Sequence, residues 1–109
     1  MAGGHPSDES RAAEARPVLD CLLAAARAGD QEGIRRLHRD DHTWLGPHGI
    51  DRGVESAVGH YARIAPLARE WDEPQQQGAK AVLRWRGLSG TGALVVEVRS
   101  GLIIFTAEA

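Results

Sequence analysis

The fold is decided by residues 28–53, which read AGDQEGIRRLHRDDHTWLGPHGIDRG. Gly29 ends one helical pattern and Asp30 suits the start of the next, because glycine accepts the left-handed backbone of a helix end and a carboxylate caps free amide groups. Residues 42–45 are β-prone and are ended by a Gly-Pro turn, after which Gly53 precedes a third helical pattern. This stretch therefore predicts a helix end, a short helix, one short strand, a turn and a third helix.

Apolar residues recur at helical spacing on both sides of this stretch. Upstream, residues 13–28 are predicted to form the first helix, which either begins close to Pro17 or bends there. The predicted buried stripes consist of Val18, Leu19, Leu22, Leu23 and Ala26 in the first helix, Ile34 and Leu37 in the second, and Val54, Ala57, Val58, Tyr61, Ile64 and Ala65 in the third. The three helices are thus expected to share one apolar side.

The apolar pattern changes from a helical period to strict alternation after residue 67. A polar loop is predicted over residues 74–78. The predicted strands cover residues 70–72, 79–86, 93–99 and 102–107. A Gly-rich connection and a Ser100-Gly101 turn join the last three strands as hairpins. Helices followed by consecutive hairpins predict an α+β fold, in which three N-terminal helices pack on a curved antiparallel sheet.

Composition limits the architecture and the partners. With 109 residues, of which 42% are hydrophobic and 26% charged, the chain is expected to form one domain with a single core over residues 13–109. Residues 1–12 are polar and aperiodic, so a disordered lead-in is predicted there. The net charge of -2 and the lack of a basic run argue against a nucleic-acid partner. No apolar run reaches the roughly 20 residues that span a bilayer, and the polar start does not resemble a signal segment, so we expect no membrane partner and a cytoplasmic location.

The candidate catalytic residues are the few polar side chains that the apolar pattern predicts to lie in the interior. Acid–base catalysis needs a histidine or carboxylate next to the substrate, with its pKa moved toward neutrality by burial. Alternation back from Gly46 places Trp44 and His42 on one strand face, and Tyr61 lies on the buried stripe of the third helix. We therefore predict His42 and Asp72 as the acid–base pair and Tyr61 as the hydroxyl donor to a developing oxyanion. The predicted aromatic walls around a ligand are Trp44, Trp71 and Trp85.

Structural interpretations of the same residues stay open. The chain has three Trp, one Tyr and one Phe, and a core of this size needs most of them. His42 follows Asp40 and Asp41 and equally fits a hydrogen-bonded turn. His38 is predicted on a solvated helix side, and its spacing of four residues from His42 is a weak ligand pattern. We therefore predict no metal site and no cofactor.

Four motifs in a fixed order carry a resemblance to a known superfamily. They are Ala28-Gly29-Asp30 after the first helix, Asp40-Asp41 before a strand ending in Trp44-Leu45-Gly46-Pro47, Gly53 before a helix containing His60-Tyr61, and Glu97-Val98-Arg99-Ser100-Gly101-Leu102-Ile103 in the last hairpin. From about residue 13 onward the chain resembles the nuclear-transport-factor-2-like superfamily and, within it, the small SnoaL-like bacterial proteins. The resemblance implies a cone-shaped domain with a pocket between three helices and a bent sheet, and often a homodimer formed through the outer sheet face.

Members of this superfamily include polyketide cyclases, ketosteroid isomerase, epoxide hydrolases and dehydratases, alongside proteins that only bind or dimerise. The sequence departs from ketosteroid isomerase at two matching positions. Gly46 stands where that enzyme carries its base, and Leu22 stands where it carries a phenolic donor. Steroid-type isomerisation by that machinery is therefore disfavoured, and Leu22 is expected to line the pocket as an apolar contact.

Two functions are compatible with the sequence. The first is a SnoaL-like pocket protein that acts on a small apolar, polyketide-like molecule by cofactor-free acid–base chemistry through His42, Asp72 and Tyr61, as a cyclase, isomerase or hydrolase. The second is a non-catalytic ligand-binding or dimerisation module whose pocket is filled by Leu22 and tryptophan side chains. An open pocket containing an unpaired polar atom would favour the first, and a closed apolar core would favour the second.

Overall fold

Three helices come first in the fold. A computed structural model of the protein describes residues 8–109. The helices are α1 (Asp8–Ala28), α2 (Gln31–Leu37) and α3 (Val54–Ile64). Each buries one apolar side, as the helical spacing predicts, and α3 does so through Ala57, Val58, Tyr61 and Ile64.

The start of α1 differs from the prediction. Residues 1–7 of the predicted disordered lead-in lie outside the described part of the chain, but residues 8–12 are already helical. The Gln76 side chain holds this segment by donating a hydrogen bond to the Ala12 carbonyl oxygen at 2.6 Å. Pro17 lies inside the helix rather than at its start. The tertiary contact thus extends the helix through a stretch whose composition alone favours disorder.

The Gly-Asp break between α1 and α2 is confirmed. Gly29 adopts a φ of 65°, in the left-handed region that favours glycine. Asp30 then caps α2, because its side chain accepts a hydrogen bond from the Gly33 amide at 3.0 Å. The break turns the chain so that Ile34 of α2 is buried beside α1.

Seven strands form a curved sheet that does not close into a barrel. The strands are β1 (His38–Gly46), β2 (Gly49–Arg52), β3 (Glu70–Trp71), β4 (Gln75–Gln77), β5 (Lys80–Gly87), β6 (Gly90–Arg99) and β7 (Leu102–Glu108). Their spatial order is β2-β1-β7-β6-β5-β3, and β4 also pairs with β5. The predicted α+β fold of three helices on a curved sheet is confirmed.

Pairing in the sheet departs from the prediction in two respects. The strands pair antiparallel except for β1 and β7, which run parallel, so the described sheet is mixed. These two strands are far apart in the chain and meet without a hairpin, which leaves the parallel direction open to them. The second difference is that β2 and β4 occupy segments predicted as a turn and a loop, because both are short and carry no apolar alternation.

The core lies between the helices and the inner face of the sheet. Alternate residues of the last hairpins point inward, as predicted. The buried inward residues of β5 and β6 are Ala81, Leu83, Leu94, Val96 and Val98. They face Leu19 and Leu22 of α1, which are completely buried. This arrangement leaves β1 and α3 to line the other half of the interior.

Candidate functional site

Strand β1 carries three buried side chains into the interior: His38, His42 and Trp44, which are 4%, 0% and 0% exposed. His38 also ends α2, because its backbone amide still donates to the Arg35 carbonyl oxygen. The pairing of β1 with β7 shifts register between His38 and Thr43. This irregularity lets both imidazoles face inward while the two aspartates between them face solvent.

These three side chains form one cluster with Tyr61 of α3. The ring centroids of His38 and His42 are 4.7 Å apart, and those of His38 and Tyr61 are 5.8 Å apart. Tyr61 meets Trp44 at 5.4 Å, and each of these pairs is packed edge to face. We call His38, His42, Trp44 and Tyr61 the interior cluster.

Hydrogen bonds fix the state of His38. Its Nδ1 atom lies 2.6 Å from the Ile34 carbonyl oxygen, and a carbonyl oxygen only accepts. Nδ1 therefore carries the proton, and in the neutral ring the lone pair lies on Nε2. His42 uses Nε2 for a hydrogen bond with the Thr106 hydroxyl at 2.9 Å.

Three polar atoms of the cluster are buried and have no hydrogen-bond partner among residues 8–109: His38 Nε2, His42 Nδ1 and the Tyr61 hydroxyl. Unpaired buried polar groups are rare in native proteins, since each loses its hydration without compensation. Here three of them belong to rings that are in mutual contact. The cluster can therefore accept and donate hydrogen bonds that the fold itself does not use.

Burial sets the protonation of these groups. It lowers the pKa of His38, although the hydrogen bond to Ile34 opposes it. It lowers the pKa of His42 to about 4, with the neighbouring His38 adding to the effect. Burial also raises the pKa of the Tyr61 hydroxyl. Both imidazoles are consequently neutral at pH 7 and the phenol keeps its proton, so the cluster offers a free base, His38 Nε2, beside a neutral hydroxyl donor.

A charged network at the edge of the cone holds Trp44 in place. Trp44 Nε1 donates to Glu108 Oε2 at 2.8 Å, and Arg63 donates to the same oxygen at 2.8 Å. Burial alone would raise the pKa of Glu108, but the hydrogen bonds from Arg63 and Trp44 outweigh it and keep that pKa below its usual value. His60 stacks on the Trp44 ring at 4.6 Å and bonds to Asp51 at 2.6 Å. The outer side of the cluster is thereby closed and rigid.

The other side of the cluster adjoins a cleft of about 170 Å³ between the α1–α2 junction, α3 and β3. Tyr61, Ile34, Val58, Ala65 and Trp71 are among its lining residues. Two of these lining residues, Tyr61 and Ile34, also contact His38 and so stand between it and the cleft. A molecule in this cleft, which we call the Tyr61 cleft, would lie one side chain away from the imidazole pair.

The structure brings together some of the predicted site residues. His42, Tyr61 and Trp44 meet in the interior cluster, and Trp71 lines the Tyr61 cleft. Leu22 is completely buried in the core. Trp85 lies opposite Trp71 on the neighbouring strand, on the same inner face of the sheet. Its ring packs over Gly92, where an added Cβ would come within 2.4 Å of it.

Asp72 does not join the cluster, which corrects its predicted pairing with His42. Its side chain is 44% exposed and pairs with Arg86 at 3.0 Å. The physical reason is the sheet order, because three strands separate β1 from β3 and Asp72 follows directly after β3. A carboxylate that is paired with an arginine at the surface, away from β1, has no access to His42.

The sequence interpretation missed His38, which it placed on a solvated helix side. The side chain is buried because α2 ends at Leu37 and the chain passes directly into β1. The available signal was the spacing of His38, His42 and Trp44 at even intervals back along the strand. Asp40 obscured this signal, since strict alternation would have placed a carboxylate inside.

Other kinds of site find less support in the described residues. Within residues 8–109, no group of three or more His, Cys, Asp or Glu side chains is arranged to hold a metal ion. None of the helices over the same range is long and apolar enough to cross a membrane.

Comparison with known proteins rests on structure alone. No family profile matches the sequence, and no curated protein matches it significantly. An NTF2-like protein of unknown function from Mesorhizobium loti superposes with a TM-score of 0.76 at 20% identity, over 95% of this chain and 94% of that one. The chain has the NTF2-like fold.

Two further neighbours show how little this NTF2-like fold says about chemistry. A candidate polyketide cyclase from Sinorhizobium meliloti gives a TM-score of 0.70 at 17% identity, over 85% of this chain and 94% of that one. A de novo designed protein with a curved β-sheet gives the same TM-score at 19% identity, over 88% of this chain and 84% of that one. Since a natural and a designed protein match equally well, function has to be derived from the interior cluster.

Proposed function

We propose that this NTF2-like protein binds a small, largely apolar, polyketide-like molecule at the Tyr61 cleft. We further propose that it acts on this molecule by acid–base chemistry without a cofactor, as a cyclase, isomerase or hydrolase. The observation that carries the proposal is the group of three buried polar atoms without partners. These atoms lie behind the Tyr61 cleft, and the side chain of Tyr61 forms part of its wall.

The proposed chemistry is proton transfer next to a ketone carbonyl. In this proposal the Tyr61 ring rotates on ligand binding and opens the cleft toward the imidazole pair. His38 Nε2 then removes a proton from the carbon beside the carbonyl, and the electron pair of that C–H bond moves to form an enolate. The Tyr61 hydroxyl donates a hydrogen bond to the enolate oxygen, where the negative charge develops. Return of the proton to another carbon isomerises the substrate. Alternatively, attack of the enolate carbon on a second carbonyl closes a ring, and the protonated His38 gives its proton to the alkoxide that forms from that carbonyl.

His42 has a supporting role in this proposal. Its ring contacts His38 edge to face at 4.7 Å and is anchored by Thr106. A neutral His42 avoids placing a second positive charge beside His38 when His38 takes up the proton. The predicted catalytic role of Asp72 is not retained, since its carboxylate pairs with Arg86.

The alternative is a binding or dimerisation module without catalysis. It is favoured by the complete burial of Trp44 and Leu22, which fill the interior that other pockets of this shape would leave open. In that case the Tyr61 cleft would be the whole binding site, and no proton would be removed from the ligand.

The two possibilities are separated by acetylnaphthol, a bicyclic aromatic ketone. Quenching of tryptophan fluorescence reports binding, with ethylnaphthol as the matched ligand that lacks the carbonyl. Exchange of the methyl protons of the ketone in heavy water, followed by NMR, reports proton removal. His38→Asn is the variant to compare, because asparagine keeps a donor for the Ile34 carbonyl oxygen but has no basic nitrogen.

We expect acetylnaphthol to bind more tightly than ethylnaphthol, and its proton exchange to be accelerated by the wild-type protein and not by His38→Asn. Binding without accelerated exchange would contradict the enzymatic function and support the binding module. No fluorescence response to either ligand would contradict both forms of the proposal.

We also propose that two copies associate through the outer face of the sheet. Cross-strand pairing aligns Val82, Val95, Ala107, Leu45 and Ile50 in one row across five strands. Leu45 and Ile50 are 42% and 61% exposed, which is unusual for large apolar side chains next to each other. The row would be covered by the same row of a second copy.

A further inference from the structure

We propose that the ligand of this protein is an organic anion, with its apolar body in the Tyr61 cleft and its negatively charged group held by Arg69. This inference rests on the proposed function, because it assumes that the Tyr61 cleft takes a ligand. It adds the charge of that ligand, which the interior cluster alone does not specify.

The Tyr61 cleft continues into a second, wider cleft of about 570 Å³. Ala26, Gly29, Ala65 and Trp71 line both spaces, so the two form one continuous groove along the mouth of the cone. Trp71, which is buried, forms part of the wall of both clefts. A molecule longer than the inner cleft would therefore extend into the outer one.

The outer cleft differs from the inner one in charge. Three arginines line it, Arg27, Arg69 and Arg86, against one acidic lining residue, Glu70. No Arg, Lys, Asp or Glu lines the inner cleft. The groove thus runs from an apolar end beside Tyr61 to a cationic end.

Two of these arginines are already engaged. Arg86 pairs with Glu70 and Asp72, each at 3.0 Å. Arg27 donates to the Trp71 carbonyl oxygen at 2.9 Å and lies 3.9 Å from a Glu73 oxygen.

Arg69 has neither a hydrogen bond nor an ion pair from its side chain to any residue within 8–109. Its backbone is nevertheless fixed, because its amide donates to the Arg86 carbonyl oxygen at 2.8 Å. Arg69 therefore offers an unpaired guanidinium on a fixed backbone at the end of an apolar groove. Such a group binds the carboxylate, sulfonate or phosphate of a ligand whose remaining part is apolar.

Two fluorescent probes that share one aromatic body test this inference. Anilinonaphthalene sulfonate carries a sulfonate, and phenylnaphthylamine is the uncharged counterpart. Both are titrated into wild type, Arg69→Ala, Arg36→Ala and Ala65→Trp. Arg36 is an exposed arginine of α2 that lines neither cleft and serves as the matched control. Ala65→Trp places an indole where the two clefts join.

We expect wild type to bind the sulfonate about fivefold more tightly than the uncharged probe, as for one solvent-exposed ion pair. Arg69→Ala should remove this preference without weakening the uncharged probe, and Arg36→Ala should leave both affinities unchanged. Ala65→Trp should abolish binding of both probes. The preference should also shrink as salt is added.

The experiment distinguishes a failure of the inference about Arg69 from a failure of the proposed binding site. If the uncharged probe binds but the sulfonate binds no better, or if Arg69→Ala and Arg36→Ala behave alike, the inference about Arg69 is wrong and the cleft proposal stands. If neither probe binds, or if Ala65→Trp changes neither affinity, the Tyr61 cleft is not a binding site and both proposals fall.

Discussion

His38 and His42 are an unusual pair for the interior of a small domain, because no carboxylate or arginine among the described residues is fully buried with them. Burial is tolerated only while both rings stay neutral. Together with Tyr61 they leave three polar atoms unpaired, and each such atom costs about 1–3 kcal/mol of stability. A fold maintained for stability alone would favour apolar side chains at these positions.

The lowered pKa values make stability depend on pH. A histidine with a folded pKa of about 4 and an unfolded pKa of about 6.5 binds its proton more readily when unfolded. Its contribution to stability is complete above pH 6.5 and is lost as the pH falls toward 4. For His42 we expect a loss of about 2 kcal/mol between pH 7 and pH 5, with His38 adding in the same direction.

Urea unfolding at pH 7, 6 and 5 measures this loss. The control is His48→Ala, since His48 is an exposed loop residue and its removal should leave the pH dependence unchanged. A free energy of unfolding that stays level over this range would mean that the imidazoles are not buried in solution.

At the scale of elements, the helix breaks, caps and turns that depend on neighbouring residues were predicted correctly from the sequence. The Gly29 break, the Asp30 cap and the Ser100-Gly101 turn are formed as expected, and both turn residues have positive φ, at 52° and 79°. The alternation of Leu94, Val96 and Val98 predicted the inward face and the end of β6 correctly, although the strand begins at Gly90 rather than at Ala93. Each of these signals lies within a few residues of the feature that it determines.

Features that depend on distant parts of the chain were missed. The start of α1 depends on Gln76, which is 64 residues away. His38 was assigned to a helix face because its position in β1 requires knowing where α2 ends. Asp72 was paired with His42 because alternation gives the face of a strand but not the distance across a sheet. In each case the deciding contact is tertiary, and no local pattern contains it.

The proline inside α1 provides a test at this scale. Pro17 is exposed and in the helix interior, where it has no amide to donate and crowds the carbonyl of the preceding turn. We expect Pro17→Ala to raise the free energy of unfolding by about 1–3 kcal/mol. Thermal unfolding followed by circular dichroism measures the change, with Arg16→Ala as the neighbouring control. An unchanged or lower melting temperature would contradict the expectation that Pro17 destabilises α1.

For the whole molecule, the curved sheet separates two surfaces with different proposed roles. The inner face and the helices enclose the interior cluster, and the outer face carries the apolar row through Leu45 and Ile50. Leu45→Glu should convert a dimer into a monomer, because it places a charge within the apolar row. Leu88→Glu is the matched control, since Leu88 is 86% exposed on a hairpin turn outside the row.

Light scattering with size-exclusion chromatography measures this change. The expected result is a dimer for wild type and Leu88→Glu and a monomer for Leu45→Glu. A monomeric wild-type protein, or a dimer that survives Leu45→Glu, would contradict association through the outer face.

The central claim is that the buried polar atoms serve a ligand rather than the fold. Urea unfolding of wild type and Tyr61→Phe, each with and without acetylnaphthol, tests it most directly. Without ligand, the phenylalanine variant should be more stable by about 1 kcal/mol, because it removes an unpaired buried hydroxyl. With ligand, the wild type should gain more stability than the variant. A variant that is less stable without ligand, and that gains as much as wild type with it, would contradict the account.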